Sequence, residues 1–504
     1  MIRARLSDQP LFLLLAGIAG LAMYLPALHA AVLRSHAEAR AFFYSGTMIL
    51  IVTLLIGIAR ATRPRRTGLM RNLAALLAAF TLLPLALALP FHEASQSASW
   101  LDSYVEMVSS LTTTGAPLFA PEDLTPVLHL WRGMVGWLGG FLIWVAAAAI
   151  LAPLNLGGFE VTASSEPGQG EARIPQTGAI DPQRGLVRVT VQLLPVYAGL
   201  TAVLWLVLLL AGAVAPVALI HAMSALSTSG ISPLGGVERA ASGMAGEMAM
   251  ALFLVFALSR LTFSSDTLST ARRGLWHDPE FRLGMMLVLG VPSLLVLRHY
   301  LAGLGDAGDT PLLALRAFWG GVFTALSFLT TTGFASADWA GARLWSGLEV
   351  PGLILMGLAL IGGGVATTAG GVKLLRIWAL YLHGRREMER LVHPSSVGRS
   401  REQSSRIARR GAFMAWVFFM FFALSLMGLV LVLAALGSDF EQAMVLAVAG
   451  LSTTGPLVLA ASTMPVVLGD LGAAAKLVFC AAMILGRLEL LAIVALLTSG
   501  FWRD

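Results

Sequence analysis

The sequence predicts an all-α membrane protein in which four pseudo-symmetric helix/pore-loop/helix repeats surround a central pore, preceded by two extra transmembrane helices. Three observations predict this class. The 504 residues are 57% apolar and 12% charged, with a mean hydropathy of +0.79, whereas soluble domains carry a charge at about a quarter of their positions. The apolar residues form blocks of about the 20 residues that a membrane-spanning helix needs. A hydroxyl-rich motif that ends in glycine occurs four times, at intervals of 103 to 122 residues.

Apolar blocks between polar interruptions predict ten full spans. They lie at about residues 10–31, 42–60, 69–90, 128–152, 189–213, 244–263, 282–300, 347–381, 412–436 and 473–498. The repeated motif then divides the chain. We assign 1–68 to two N-terminal transmembrane helices, 69–156 to repeat 1, 157–188 to a cytoplasmic connector, 189–264 to repeat 2, 265–281 to a second connector, 282–381 to repeat 3 with a gating loop, 382–410 to a basic cytoplasmic connector, and 411–504 to repeat 4.

The distribution of charge predicts the orientation of the spans. Arginines are concentrated in the connectors 60–71 and 382–410, which we therefore place in the cytoplasm. Acidic residues are concentrated in the segments opposite, where they either attract cations or are ordinary solvated loop acids. The net charge of +6 comes from these connectors and does not indicate nucleic-acid binding. The single cysteine, Cys480, excludes a disulfide framework.

The repeated motif predicts a pore. Its copies read Ser110-Leu-Thr-Thr-Thr-Gly115, Ala225-Leu-Ser-Thr-Ser-Gly230, Phe328-Leu-Thr-Thr-Thr-Gly333 and Gly450-Leu-Ser-Thr-Thr-Gly455. Each copy follows a half-length stretch of apolar or small residues and precedes a span. Such half-helices are too short to cross a bilayer, so we expect them to be re-entrant, and non-helical backbone at that depth must be surrounded by protein or water. Four such loops around one axis form a pore.

The chemistry of the motif favours a monovalent cation. Small hydroxyl residues followed by glycine, at the C-terminal end of a short helix, present neutral oxygens at the negative end of the helix dipole. Divalent cations would require carboxylates. The candidate ion-binding residues are Thr112, Thr113, Thr114, Gly115, Ser227, Thr228, Ser229, Gly230, Thr330, Thr331, Thr332, Gly333, Ser452, Thr453, Thr454 and Gly455. One copy alone is more often a plain helix end with a glycine stop, but four copies in register with the spans favour a selectivity filter.

Further motifs place the chain in a known group. They are Trp131-Arg-Gly133 leading into Trp137-Leu-Gly-Gly140, Asp278-Pro-Glu-Phe-Arg282, Ile361-Gly-Gly-Gly364, Ala369-Gly-Gly-Val-Lys373, Arg390-Leu-Val-His-Pro394, Leu485-Gly-Arg-Leu-Glu489 and Phe501-Trp-Arg503. Over nearly its whole length the sequence resembles the Trk/Ktr/HKT superfamily of potassium and sodium uptake proteins, most of all its Trk branch. The resemblance implies four pore-loop repeats, a homodimer, a cytoplasmic nucleotide-binding ring of the TrkA kind, and no cofactor bound by this chain itself.

The resemblance also implies the transported ion. In this superfamily a glycine in each loop goes with potassium selectivity, and all four loops here have one. Two segments depart from the Trk pattern: Ser227-Thr-Ser-Gly-Ile231 lacks the longer threonine, glycine and phenylalanine pattern, and Ser452-Thr-Thr-Gly-Pro456 lacks the asparagines that are frequent there. Potassium ions in the pore are therefore expected, with a sodium-permeable member of the superfamily as the alternative.

A glycine-rich interruption of the span 347–381 is the candidate gate. Each interior glycine costs a helix about 1 kcal/mol relative to alanine, and a helix broken at mid-membrane must line a cavity. The candidate gate residues are Gly362, Gly363, Gly364, Thr367, Thr368, Gly370, Gly371 and, from the last span, Arg487. The resemblance implies a flexible gating loop that obstructs the pore on the cytoplasmic side of the filter. Close packing between helices is the alternative explanation of the small residues.

Arg487 is a charge inside an apolar span, so it should face a partner or water. The resemblance places it beside the pore, where its charge would repel a cation, and a structural salt bridge to another helix is the alternative. Glu489 lies two residues further on and should point to a different face. Trp131 and Arg132 are expected to be interfacial anchors.

Together these features predict a non-enzymatic protein for potassium uptake across the bacterial inner membrane. Its partners would be potassium, membrane lipid, a second copy of the chain and the nucleotide-binding ring, with the basic connector 382–410 as a docking surface for the ring or for anionic lipid. An ion-coupled secondary transporter is a further alternative, but it would need inverted or paired repeats and intramembrane carboxylates.

Overall fold

A computed structural model describes residues 9–60, 68–95, 98–154, 156–159, 182–259, 275–301, 310–392, 402–461 and 465–497. These residues form helices and connecting turns, and no β-strand occurs among them. Eight of their helices are long and apolar enough to cross a membrane, or nine if one bent pair counts as a single span. The predicted class, an all-α membrane protein, is confirmed. The closing motif at 501–503 lies outside the described residues.

The N-terminal part contains two spans, as predicted. Its helices are α1 (Leu11–Ala22), α2 (Tyr24–Val32) and α3 (His36–Arg60), of which α1 and α2 together make one span. The two spans approach closely at Gly46, where an added β-carbon would lie 2.9 Å from the carbonyl oxygen of Gly20. Small residues allow such backbone contact between membrane helices.

Repeat 1 has the predicted sequence of span, half-length helix and span. Its elements are α4 (Leu69–Ala94), α5 (Trp100–Leu111), α6 (Pro126–Ala146) and a π-helical turn (Ala147–Leu151) that extends α6. The hydroxyl of Ser99 accepts a hydrogen bond of 3.1 Å from the amide of Asp102, and the hydroxyl of Thr125 accepts one from the amide of Leu128. These N-caps fix where α5 and α6 begin.

Repeat 2 differs from the prediction at both ends. Its elements are α7 (Pro182–Leu210), α8 (Ala215–Ser227), α9 (Gly243–Leu254) and a 3₁₀ turn (Val255–Leu258). Helix α7 begins within the predicted connector 157–188. The prediction of a full span at 244–263 was wrong, because the helical residues end at Leu258 and Ser259 is extended, with φ −143° and ψ 136°. The chain leaves the helix at this point, and the Ser259 hydroxyl donates a hydrogen bond to a carboxylate oxygen of Asp278.

Repeat 3 contains the broken span. Its helices are α10 (Pro279–Leu301), α11 (Pro311–Leu329), α12 (Trp339–Trp345), α13 (Gly352–Ile361) and α14 (Leu374–Val392). The span over 347–381 is broken where its glycines predicted an interruption, because residues 362–373, which we call the glycine-rich segment, are not helical. Helix α11 is longer than the predicted half-length stretch, since Thr310 caps it and Pro311 occupies its first turn.

Repeat 4 ends in a sharp bend. Its helices are α15 (Glu402–Ala435), α16 (Phe440–Ser452), α17 (Leu457–Ala460), α18 (Ala473–Leu488) and α19 (Leu490–Leu497). Helices α18 and α19 meet at an angle of 94°. The bend lies at Glu489, whose φ of 63° is left-handed. The predicted span 473–498 is therefore a bent pair, and Arg487 lies directly before the bend.

The four repeats close into a ring around helices α5, α8, α11 and α16, which we call the pore helices. In every repeat, a helix that comes later in the chain than the pore helix packs against the pore helix of the next repeat. The four contacts are α6 with α8, α9 with α11, α13 with α16, and α18 with α5. Because the last contact returns to the first repeat, the C-terminal ends of all four pore helices meet at the centre of the molecule.

Candidate ion filter and gate

Each pore helix runs into a filter segment, our name for the four stretches 112–115, 227–230, 330–333 and 452–455. These segments contain all the ion-binding residues predicted from the repeated motif. Every one of those residues is buried. The structure therefore brings together four stretches that are more than 100 residues apart in the chain.

Up to the residue before the glycine, the four segments share one backbone conformation. The second residue of each is a threonine in the left-handed region, with φ of 54°, 50°, 60° and 54° for Thr113, Thr228, Thr331 and Thr453. The amide of the next residue donates to the carbonyl five residues earlier, over 2.9, 3.0, 2.9 and 2.9 Å. This arrangement is the Schellman motif that ends a helix. The repetition in sequence is thus a repetition in geometry.

Two of the side-chain hydroxyls in each segment are held by a hydrogen bond within that segment. The first and third residues of a segment lie within hydrogen-bond distance through their hydroxyl oxygens. The distances are 2.8 Å for Thr112 and Thr114, 3.0 Å for Ser227 and Ser229, 3.2 Å for Thr330 and Thr332, and 3.1 Å for Ser452 and Thr454. These hydroxyls are engaged locally, whereas those of Thr113 and Thr453 are buried and have no hydrogen-bond partner among the described residues. The segments can therefore offer their backbone carbonyls and these two hydroxyls to an ion.

The glycines bring neighbouring segments into backbone contact. A β-carbon at Gly115 would lie 1.8 Å from the carbonyl oxygen of Ser229, and one at Gly230 would lie 2.2 Å from that of Thr332. The amide of Gly455 donates to the carbonyl oxygen of Thr114 over 2.7 Å. The contacts therefore run from segment 1 to 2, from 2 to 3 and from 4 back to 1. No side chain fits at these positions unless the ring expands.

The electrostatics of the ring suit a monovalent cation. Four helix C-termini direct the negative ends of their dipoles towards it, and no side chain in the segments carries a charge. Within the described part of the chain, no group of three or more His, Cys, Asp or Glu residues could hold a metal ion. Neutral oxygens that replace a hydration shell are the means by which potassium-selective filters bind their ion.

The glycine-rich segment contacts the end of the second pore helix and two of the four filter segments. The hydroxyl of Thr368 donates to the carbonyl of Leu226 over 3.2 Å, and the amide of Gly370 donates to the hydroxyl of Thr331 over 2.8 Å. A β-carbon at Gly370 would lie 2.2 Å from the carbonyl oxygen of Ser452. Of the predicted gate residues, Thr368 and Gly370 thus lie directly against one end of the filter, whereas Gly363 and Gly364 pack against the backbone of Ala257 and Leu258.

Arg487 lies against this segment. Its Nη1 donates to the carbonyl of Thr368 over 2.7 Å. Its side chain is buried, and its Nε and Nη2 have no hydrogen-bond partner among the residues that the structure describes. No ion pair of Arg487 occurs among those residues either, so the salt-bridge alternative has no support there. A buried, incompletely paired guanidinium therefore lies beside the candidate gate.

A second arginine, Arg376, which is not among the residues predicted from the sequence, forms an ion pair at the bend between α18 and α19. Nη2 of Arg376 donates to a carboxylate oxygen of Glu489 over 2.7 Å, and its guanidinium lies 3.7 Å from the ring centre of Phe418. Nη1 of Arg376 also donates to the carbonyl of Val372. The Lys373 ammonium donates to the carbonyl of Ala369. The end of the glycine-rich segment is thereby tied to the bend that positions Arg487.

The expectation that Trp131 and Arg132 are interfacial anchors was wrong. Trp131 is fully buried and donates to the carbonyl of Leu87, and Arg132 is 3% exposed. Nε of Arg132 lies 2.5 Å from a carboxylate oxygen of Glu106 in the first pore helix. Glu106 also accepts from the amide of Leu118, in the chain that leaves the first filter segment. The pair therefore supports the filter from behind.

Buried carboxylates also support the third repeat. Glu247 accepts hydrogen bonds from Trp319, from the hydroxyl of Ser336 at 2.7 Å and from the amide of Ala337 at 2.8 Å. Glu280 accepts from the amide of Val365 in the glycine-rich segment. In the sequence, Glu247 is an isolated acid in an apolar stretch and Glu280 belongs to the motif Asp278–Arg282, but their partners are 72 to 90 residues away.

A cavity of about 610 Å³, which we call the outer cavity, lies at the opposite end of the filter from the glycine-rich segment. Its lining includes Gly230, Gly333 and Pro456, and also the charged Glu238 and Arg343. The glycine-rich segment instead contacts the beginnings of the filter segments. The filter therefore separates the cavity from the candidate gate.

Comparison with known proteins gives the family. The model of the TrkH family, described as "Cation transport protein", matches residues 249–500. The Trk system potassium uptake protein TrkH of Vibrio parahaemolyticus is 31% identical over 84% of this chain and 84% of its own length, and TrkI of Halomonas elongata is 30% identical over 85% and 82%. The crystal structure of the potassium transporter TrkH from Vibrio parahaemolyticus superposes with a TM-score of 0.78 at 26% identity, covering 99% of both chains. The chain belongs to the TrkH family of cation transport proteins.

Proposed function

We propose that this chain is the ion-conducting membrane subunit of a potassium uptake system in the inner membrane of a bacterium. The observation that carries the proposal is the closed ring of four neutral, glycine-terminated filter segments at the ends of four pore helices. The bacterial relatives named as Trk system potassium uptake proteins support potassium as the ion. The protein is a transporter whose cargo is a bare or partly dehydrated cation.

Conduction follows from the way the segments are held. An ion that enters from the outer cavity exchanges water for carbonyl oxygens of the four segments. The hydroxyl pairs and the Schellman bonds keep these carbonyls in place, so little reorganisation accompanies binding. Because no charged side chain lies in the segments, the ion is held weakly enough to leave. The membrane potential suffices to drive it inwards.

The glycine-rich segment is the gate in this proposal, and its position here is the closed one. Opening requires the loss of three hydrogen bonds, from Gly370 to Thr331, from Thr368 to Leu226 and from Arg487 to Thr368. At about 1 kcal/mol net for each bond, these three bonds favour the closed state by about 3 kcal/mol. A regulatory partner can supply that amount, since such coupling energies correspond to roughly 5- to 150-fold changes in equilibrium.

The partners in the proposal are a second copy of the chain, membrane lipid and a cytoplasmic nucleotide-binding ring. The first part of the basic connector 382–410 is the exposed end of α14, where Arg385 pairs with Glu389 over 2.9 Å. The pair is more than half exposed, so it contributes little to stability. Its charges are available to a docking partner, and α14 leads from there directly to the glycine-rich segment.

The test is growth of a potassium-uptake-deficient bacterium on limiting potassium, with this chain expressed beside a matched ring partner. We expect wild type and Gly199→Ser to restore growth, since a β-carbon at Gly199 would meet no atom within 4 Å. Gly115→Ser should make growth sensitive to sodium, and Arg487→Ala should accelerate uptake. If inserted wild type with its partner does not restore growth, the proposal fails. If Gly115→Ser and Arg487→Ala both behave like wild type, the filter and gate are misplaced.

A further inference from the structure

The fourth filter segment departs from the symmetry of the other three. Gly115, Gly230 and Gly333 have φ of 65°, 66° and 83°, whereas the φ of Gly455 is not positive. The residues directly after the first three glycines are not helical. After Gly455, Pro456 has φ −59° and ψ −11° and is the N-cap of α17, which begins at Leu457. The chain thus enters a helical turn as soon as it leaves the fourth segment.

This turn changes which carbonyls are free. In each filter segment, the carbonyl of the residue directly before the glycine stands at the equivalent position, and these four carbonyls form one level of the filter. The carbonyl of Thr454 accepts from the amide of Leu457 over 3.2 Å, and that of Thr114 accepts from the amide of Gly455 over 2.7 Å. Within the described residues, the carbonyls of Ser229 and Thr332 accept no hydrogen bond. Two of the four oxygens at this level are therefore occupied by donors from the fourth loop or its turn.

The proline ring also occupies a junction of the filter. At two other junctions, the atom nearest to the glycine is the carbonyl oxygen of the neighbouring segment. At Gly333 the three nearest atoms are instead Cγ, Cβ and Cδ of Pro456, at 2.9 to 3.0 Å from an added β-carbon. Cγ of Pro456 would also lie 2.7 Å from a β-carbon at Gly230. The ring thus packs against the glycines of two other segments at the floor of the outer cavity.

We propose that Pro456 is a specificity-determining positioning residue of this filter: its ring sets the spacing of the second, third and fourth segments, and its helical turn leaves two free carbonyls at the level before the glycines. The inference rests on the filter assigned in the proposed function. Discrimination between potassium and sodium depends on the number and spacing of the oxygens around the ion. A residue that controls both without touching the ion acts on selectivity through its neighbours.

The test is the ratio of potassium to sodium permeability, taken from reversal potentials of the reconstituted full-length chain. Pro456→Ala removes Cγ and Cδ, so the spacing relaxes and the ratio should fall several-fold while a potassium current remains. Pro456→Val keeps a branched side chain at the junction, and its ratio should lie between those of Pro456→Ala and wild type. Pro465→Ala is the control, because Pro465 is exposed, lines the same cavity and is not among the atoms nearest to a filter glycine.

The permeability ratio separates this role from a merely structural one, which would lower the amount of active protein and leave the ratio unchanged. If Pro456→Ala conducts potassium with the wild-type ratio, while Gly115→Ser in the same assay has an altered ratio, Pro456 has no part in selectivity and the filter assignment stands. If Gly115→Ser also keeps the wild-type ratio, the filter assignment fails, and this inference fails with it. If Pro456→Ala does not reach the membrane, Pro456→Val decides by the same criterion.

Discussion

Gly370→Ala should open the gate. In the closed structure, a β-carbon at this position would lie 2.2 Å from the carbonyl oxygen of Ser452 and 2.3 Å from the hydroxyl oxygen of Thr453. Neither atom can move away easily, because both belong to a filter segment that is packed on all sides. The backbone of Gly370 has no positive φ, so alanine itself is not strained there. The added methyl group therefore opposes only the contact between the glycine-rich segment and the filter.

The size of the effect follows from this overlap. Normal carbon to oxygen contact is more than an ångström longer, so the segment must withdraw, which also weakens the hydrogen bond from Gly370 to Thr331. Overpacking by one methyl group costs about 1–3 kcal/mol. Because the cost applies to the closed state, the equilibrium should shift towards opening by about 5- to 150-fold.

The assay is the initial rate of potassium or rubidium flux into proteoliposomes, normalised to the amount of folded protein. Gly357→Ala is the matched control, since Gly357 lies in α13, which precedes the glycine-rich segment, and a β-carbon there would meet no atom within 4 Å. We expect faster flux for Gly370→Ala and unchanged flux for Gly357→Ala. Equal or slower flux for Gly370→Ala would refute the conclusion that this contact closes the pore.

Three further predictions concern charged groups. Arg487→Lys should give a rate of uptake between the rates of wild type and Arg487→Ala in a flux assay, because lysine keeps the charge but not the shape of the guanidinium. A rate equal to that of wild type would show that the shape of the guanidinium has no part in closing the gate. Arg132→Ala removes the ion-pair partner of buried Glu106 and should lower the free energy of unfolding by about 3–5 kcal/mol, which a lower Tm in detergent would show. Arg385→Ala removes an exposed side chain and should change Tm little. Equal shifts in Tm for the two variants would contradict this prediction. Partial desolvation beside the outer cavity raises the pKa of Glu238, although the residue remains exposed, so this carboxylate loses its charge at a higher external pH than an ordinary glutamate. Uptake should therefore decline on acidification earlier in wild type than in Glu238→Gln, and superimposable pH profiles would exclude the effect.

The sequence could predict the features that depend on local pattern. Four copies of a hydroxyl-rich motif before glycine identified the loops, because the Schellman ending needs small residues and a left-handed position close to the glycine. Span lengths followed from hydropathy wherever helices are continuous. They failed at 244–263, where the helical residues end at Leu258 and Ser259 is extended. At 347–381 the glycines correctly predicted a broken span, since residues 362–373 are not helical.

The sequence could not predict the features that depend on long-range contact. Glu106 and Arg132 are separate isolated charges in the sequence, and they form a pair only because the first pore helix packs against α6. Arg376 and Glu489 are 113 residues apart, and hydropathy does not reveal that the bend brings them together. Pro456 was seen only as a departure from the Trk pattern. Its packing against Gly230 and Gly333 depends on the closure of the ring, which no local pattern contains.

The most direct test of the central claim is to locate the ion. Thallium(I) has nearly the radius of potassium and scatters X-rays anomalously, so crystals of the full chain grown with thallium would show its binding sites. The account predicts anomalous peaks on the axis enclosed by residues 112–115, 227–230, 330–333 and 452–455, and weaker peaks in crystals of Gly115→Ser. Peaks only in the outer cavity near Glu238, with none on the axis, would contradict the claim that these four segments are the filter.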